Sequence, residues 1–198
     1  MRSAWHHAPV NLATLLEDHP GDRTAIVAGG DRIGYGRLRD EIDALRGVLS
    51  GLGLDEGDRI AILCGTNPRF VRAWFGVIGA GLVAVPLNPG APAPEIEREL
   101  AAAGVRVVIA GPAGAAAVAA MDRSAVPTVE HIFVSGGPEI DAVADLDEAL
   151  AMSSGAPIVD RADDDLCALL FTSGTAGFPK AAMLTHGNLA SNIRQVLA

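Results

Sequence analysis

Residues 59–87 read RIAILCGTNPRFVRAWFGVIGAGLVAVPL, and this stretch decides the fold class. Arg59–Cys64 is a short run that is apolar throughout, without the alternation of a half-buried strand. That is the pattern of a strand covered on both faces, as in a parallel sheet. Arg69–Gly79 has helical character, and Leu82–Leu87 returns to extended, β-branched and apolar sequence. Strand, helix and strand within thirty residues predict one βαβ unit.

The same alternation continues outward in both directions. Upstream, Thr24–Ala28 and Asp31–Tyr35 flank Gly29-Gly30 and read as a β-hairpin with a two-residue turn. Leu38, Ile42, Leu45, Leu49 and Leu52 recur at helical spacing, with Arg39, Asp40, Asp43 and Arg46 assigned to the opposite face. Gly53 stops that helix. Downstream, Ala93–Ala103 is predicted helical after Pro92. Val105–Ala110 is a second apolar strand, broken by Gly111-Pro112. Ala115–Met121 reads as a helix, His131–Val134 as a strand, Val143–Met152 as a helix and Leu166–Phe171 as a third continuous apolar strand. Asn188 is the expected cap of a last helix. The fold class is therefore α/β, a largely parallel sheet flanked by helices. Ser153–Asp164 is polar and holds Gly155 and Pro157. The expected organisation is an N-terminal α/β subdomain over 1–152, a linker over 153–165, and a strand and helix over 166–198 that open a further, truncated part.

The 198 residues carry 24 acids against 15 Lys plus Arg, a net charge of −9, and only 4% aromatic residues. Such a chain has no basic stripe to release counterions from a nucleic acid, and few rings for stacking bases. Cys64 and Cys167 lie in apolar stretches with no CxxC or zinc-type spacing, which predicts reduced, buried thiols. The longest uncharged apolar stretch, Ala73–Leu87, has 15 residues and contains Pro86, whereas a spanning helix needs about 20. No transmembrane segment and a cytoplasmic location are the expectation.

Chemistry concentrates in Leu169–Lys180, LLFTSGTAGFPK. A buried strand empties into a loop of glycines and small hydroxyl residues that Lys180 closes. Glycines let successive backbone N–H groups point into one concavity, Thr172, Ser173 and Thr175 add hydroxyl donors, and Lys180 adds a compact positive charge. From Leu166 to Ala198 there is no Asp or Glu, while Lys180 and Arg194 are present, so this segment carries +2 in a chain of −9. A polyphosphate is the guest such a loop suits. The Walker pattern G-x-x-x-x-G-K-[ST] is absent, because Gly174 and Gly177 are three apart and Ala181 follows Lys180.

Thr172–Lys180 with Met183–Leu189 resembles the signature loop of the adenylate-forming superfamily, which includes acyl-CoA synthetases, luciferases and the adenylation domains of peptide synthetases. Tyr35–Leu38, Gly57–Ala61, Asn67-Pro68 and Gly79–Asn88 are similar to earlier blocks of that family. The resemblance covers almost all of residues 22–198, and the acyl-CoA synthetase branch is the nearest likeness. It implies the N-terminal part of the family's large domain and a two-step reaction. A carboxylate, such as a fatty acid, attacks the α-phosphorus of ATP to form an acyl-adenylate, and coenzyme A then takes the acyl group. It further implies that Thr172, Ser173, Gly174, Thr175, Ala176, Gly177 and Lys180 hold the ATP phosphates, with Mg²⁺ alongside and Thr175 as its candidate ligand. The family's acyl pocket and mobile catalytic Lys lie beyond residue 198. No catalytic residue is thus expected within the chain, which should not turn over alone and should self-associate through uncovered apolar surface. Two positions depart from the pattern, with Ala176 where Thr is usual and Ala181 where Gly is usual. A left-handed backbone at 181 would carry a strain of about 1–2 kcal/mol.

His186 has two readings, a placement residue for substrate or nucleotide and a hydrogen-bonded structural residue. Gly79-Ala80-Gly81-Leu82-Val83-Ala84 matches the dinucleotide pattern G-x-G-x-x-A, but Pro86 and Pro89 would interrupt the helix that pattern requires. The bland reading is a helix end turning into a strand. Met183 and Leu184 read as core. Asp163–Asp165 read as a solvated run.

Overall fold

The computed structural model describes residues 11–136, 139–172 and 179–197. A 3-10 turn, Leu12–Leu16, leads into the hairpin β1 (Thr24–Ala28) and β2 (Asp31–Gly34) and then the long helix α1 (Tyr35–Ser50). The repeating part follows as β3 (Arg59–Leu63), α2 (Pro68–Gly79), β4 (Val83–Pro86), α3 (Ala93–Ala103), β5 (Val105–Ala110), α4 (Pro112–Ala119) and β6 (His131–Val134). After it come the two-residue β7 (Ala144–Asp145), α5 (Leu146–Met152), β8 (Leu166–Thr172), β9 (Lys180–Thr185) and α6 (His186–Leu197). A seven-stranded sheet runs β7-β6-β5-β3-β4-β8-β9, with β8–β9 as its antiparallel pair and its other neighbours parallel.

Burial along β3 explains its unbroken apolar sequence. Ile60 and Ile62 pack toward Leu45 and Leu49 of α1 and Ala73, Val77 and Ile78 of α2. Ala61 and Leu63, on the other face, pack toward Ile96 and Leu100 of α3 and Ala115, Ala117 and Val118 of α4. Helices on both faces leave the central strands no solvated side, so alternation is lost. Each fully buried Leu, Ile or Val contributes roughly 1.5–3 kcal/mol. Cys64 and Cys167 are both free and buried. Desolvation pushes the Cys64 thiol up to about 11 and that of Cys167 up to about 12. Among the described residues no helix is long and apolar enough to cross a membrane.

The helix ends follow local chemistry. Asn67 accepts from the Arg69 and Phe70 amides and Pro68 occupies the first turn, so α2 begins with its free amides satisfied. At its other end Gly81 has φ +77, Leu82 N–H donates to Val77 O and Gly81 N–H to Ile78 O. This is a Schellman ending, and it makes Gly79–Gly81 a helix stop that feeds β4. The dinucleotide-like pattern therefore lies at the wrong end of a helix to meet a phosphate. The hairpin turn also follows the glycines, with Gly29 at φ +59 and Gly30 at φ +91.

Several expectations need correction. Arg46, assigned to the polar face of α1, is 5% exposed and donates from Nε to Ala156 O at 2.7 Å, with Asp43 as its ion partner. A carbonyl and a carboxylate in reach let a charged head enter the interior, and Gly79 leaves it room, since a Cβ there would meet Arg46 Cδ at 3.0 Å. Helix α4 begins at Pro112, three residues before the expected start, because a proline is suited to a first helical turn. Residues 143–145 precede α5 instead of joining it; Asp145 accepts from Glu148 N–H and so caps that helix. Met183 is 69% exposed and does not belong to the core.

The stretch 153–165 is tied down along its length. Ala156 N–H donates to Asp43 O, Val159 N–H to Gly79 O, and Asn11 Nδ2 to both Ile78 O and Val159 O. Arg161 pairs with Glu56 at 2.6 Å and with Asp165 at 3.1 Å.

Candidate functional site

The site candidates sit on the hairpin β8–β9. Strand β8 lies inside the sheet, parallel to β4 through the pair Ala84↔Ala168 and antiparallel to β9 through pairs from Leu166↔Thr185 to Thr172↔Lys180. Its loop therefore leaves from the sheet edge at which β3, β4 and β5 also end, the edge where open α/β sheets bind ligands. Thr172 and Lys180 form the last pair before that loop, and Thr172 Oγ1 donates to Lys180 O at 3.4 Å. Both residues are exposed. Ser173, Gly174, Thr175, Ala176 and Gly177 lie outside the described residues.

Ala181 is in the body of β9, opposite Phe171. Among the described residues Ala142 is the non-glycine residue with positive φ, so the Cβ at 181 carries no left-handed strain. Beside the loop mouth, Phe70, Val71, Trp74 and Phe75 of α2 with Pro86 and Leu170 line an apolar hollow of about 340 Å³. This hollow was not legible in the sequence, since its walls come from three separate elements.

His186 opens α6. It is 1% exposed, and its Nδ1 accepts the Leu12 N–H at 3.1 Å. Burial pushes its pKa below the ordinary value and Arg161 adds to this, while Asp165 and Asp163 pull the other way. Asn188 is not the cap itself. Thr185 Oγ1 accepts from Asn188 N–H, and Asn188 Oδ1 accepts from Thr185 N–H, a reciprocal capping box with Thr185 at the cap. Asp165 O and Asp163 O accept from His186 and Gly187 N–H, so the acidic run holds the first amides of α6 through its backbone.

A second polar chain crosses the same sheet edge. Arg69 Nε donates to Ser135 Oγ at 3.0 Å, and Ser135 Oγ donates on to Asp147 at 2.9 Å. It knits α2, β6 and α5 together. The three residues share no sequence spacing that could have announced it.

Comparison with known proteins agrees with this geometry. A family model described as AMP-binding enzyme matches residues 13–198. The chain is 36% identical over 174 residues to a feruloyl-CoA synthase of Amycolatopsis sp, covering 88% of the chain and 32% of that protein. It is 31% identical over 160 residues to the long-chain-fatty-acid–CoA ligase FadD13 of Mycobacterium tuberculosis, covering 81% of the chain and 31% of that ligase. Among solved structures, ATP-bound MatB from Rhodopseudomonas palustris superposes with a TM-score of 0.76 at 31% identity, over 94% of this chain and 37% of that one. The chain thus spans about a third of the length of the curated relatives it matches.

Proposed function

The chain belongs to the family of AMP-binding enzymes, and on that premise we propose that it is the phosphate-holding, N-terminal part of an ATP-dependent acid–thiol ligase. One observation supports the reading above the others. The β8–β9 hairpin brings Thr172 and Lys180 together at the ligand-binding edge of a parallel sheet, in a segment without a carboxylate. A loop opening there meets a polyanion with an ammonium group, hydroxyls and backbone amides, and with no carboxylate from its own segment.

In this reading Thr172, Ser173, Gly174, Thr175, Ala176, Gly177 and Lys180 cradle the ATP phosphates. Mg²⁺ accompanies the nucleotide, with Thr175 as its protein ligand, and offsets the net −9 of the chain. What these residues contribute is charge stabilisation and positioning while a carboxylate displaces pyrophosphate. Coenzyme A is the proposed acyl acceptor. The acid is left at the level of a carboxylate, aromatic or aliphatic, since a feruloyl-CoA synthase and a fatty-acid–CoA ligase are both relatives. The chain by itself is proposed to be inactive and to self-associate through its uncovered apolar surface.

The test is pyrophosphate release by the full-length protein with ATP, coenzyme A and a panel of aromatic and aliphatic acids. Release that requires one of the acids is the expected outcome. ATP hydrolysis indifferent to every carboxylate, or acyl-adenylate made by the 198-residue chain alone, would overturn the reading.

A further inference from the structure

We propose that His186 is a proton-sensitive latch, which ties the 3-10 turn Leu12–Leu16 to the base of the β8–β9 hairpin while its imidazole is neutral. The ring is 1% exposed and its Nδ1 accepts the buried Leu12 N–H at 3.1 Å, across 174 residues of sequence. A ring nitrogen that accepts cannot carry a proton, so the imidazole holds its one proton on Nε2 and is uncharged. A second proton would set N–H against N–H at a ring that is buried. The bond would have to open, and the Leu12 amide would lose its partner.

Three segments meet at this residue. The turn is anchored elsewhere by Asn11, which is 2% exposed and donates to Ile78 O at 2.6 Å and Val159 O at 2.9 Å. Its hydrogen bond to α6 is the Leu12–His186 bond, beside apolar packing of Leu12 and Ala13 in one cluster with Ala190. The backbone of His186 donates to Asp165 O at 3.1 Å, which fixes the start of α6 against the start of β8. Strand β9 runs from Lys180 to Thr185, immediately before the latch. The imidazole thus restrains the hairpin at the end opposite the Thr172–Lys180 pair.

The charged groups around the ring are Arg161, Asp163 and Asp165. The turn Leu12–Leu16, strand β8 and the Ala73–Gly79 part of α2 bring none, and α6 carries Arg194 two turns further on. Burial and Arg161 oppose protonation and outweigh the two carboxylates, so the folded-state pKa lies below the ordinary 6.5. Between that folded value and 6.5 the opened form binds a proton that the latched form refuses. The latch contributes fully above 6.5 and weakens as the pH falls through that window.

The experiment uses the 198-residue chain and its His186→Asn variant, whose side-chain oxygen can stand where Nδ1 stands and does not titrate. Protection of the Leu12 amide against hydrogen exchange, corrected for intrinsic rates, should fall about tenfold per pH unit within the window in the parent chain. It should stay flat in His186→Asn, and the parent's Tm should drop more steeply on acidification than the variant's. Parallel pH dependence in the two proteins would overturn the latch. Nitrogen NMR of the parent's imidazole at pH 7.5 keeps the proposal testable even if the variant fails to fold. A proton found on Nδ1 refutes it, and an unprotonated Nδ1 supports it. The outcome is independent of whether the loop binds ATP.

Discussion

Lys180 stands exposed at the head of β9, and the segment from Leu166 to Ala198 offers it no carboxylate. Its charge is free to meet an anion arriving at the loop. Replacing Lys180 with Ala should weaken ATP binding roughly ten- to a hundredfold, the value of one charge-assisted hydrogen bond. Calorimetric titration of the full-length protein with Mg-ATP measures it, and unchanged affinity would remove Lys180 from the cradle. The thermal stability of the K180A protein should stay near that of the parent, since an exposed strand-end side chain holds little of the core. At this scale the sequence spoke unevenly. The placement of Thr172 and Lys180 at the two ends of one loop was legible, because an apolar run giving way to glycines and hydroxyl residues marks the end of a strand. Arg46 was not, because its burial depends on the Ala156 carbonyl, 110 positions away, and on the missing Cβ of Gly79. His186 stayed ambiguous for the same reason, since its partner Leu12 lies at the far end of the chain.

Among elements, β3 and β5 were readable to within a residue, being apolar runs bounded by turn residues and buried on both faces. Strand β9 was missed. Its sequence KAAMLT lacks a buried face, and an edge position leaves Met183 mostly in solvent. The 3-10 turn Leu12–Leu16 was missed as well, since five residues are too few to show a period. Packing between α4 and β3 tests how tightly the layers fit. A Cβ at Gly114 would sit 2.5 Å from Leu63 O and 2.8 Å from Leu63 Cβ. Strand β3 is paired on both sides, so it cannot step back. Gly114→Ala should therefore destabilise the chain by about 1–3 kcal/mol, although alanine is the better helix former. Tm should fall by several degrees, since about 1 kcal/mol moves a protein of this size by roughly 2–4 °C. A G114A protein melting at or above the parent temperature would show that α4 has slack against the sheet.

For the molecule as a whole, charge and exposed surface pull in opposite directions. A net −9 favours separation of copies through repulsion. Against it stand the apolar hollow between α2, Pro86 and Leu170, and the last strand of the sheet. Among the described residues, strand β9 presents one edge of backbone N–H and C=O groups without a neighbour in the sheet order, and beyond Lys180 its residues are Ala181, Ala182, Met183, Leu184 and Thr185. Such an edge templates pairing with a second strand, and a single lysine at one end blunts it only there. Contact repulsion at −9 is screened within about 8 Å at physiological salt, whereas apolar burial is not. The surface term should win, so sedimentation velocity on the 198-residue chain should show the average mass rising with concentration, more so at higher salt. Met183→Lys, which puts a charge in the middle of the exposed edge, should return the chain toward monomer without lowering Tm, because the parent side chain is 69% exposed. A chain that stays monomeric at high concentration and high salt would show that repulsion governs and that neither the edge nor the hollow is sticky. Association untouched by M183K would instead place the contact on the hollow lined by Trp74 and Phe75.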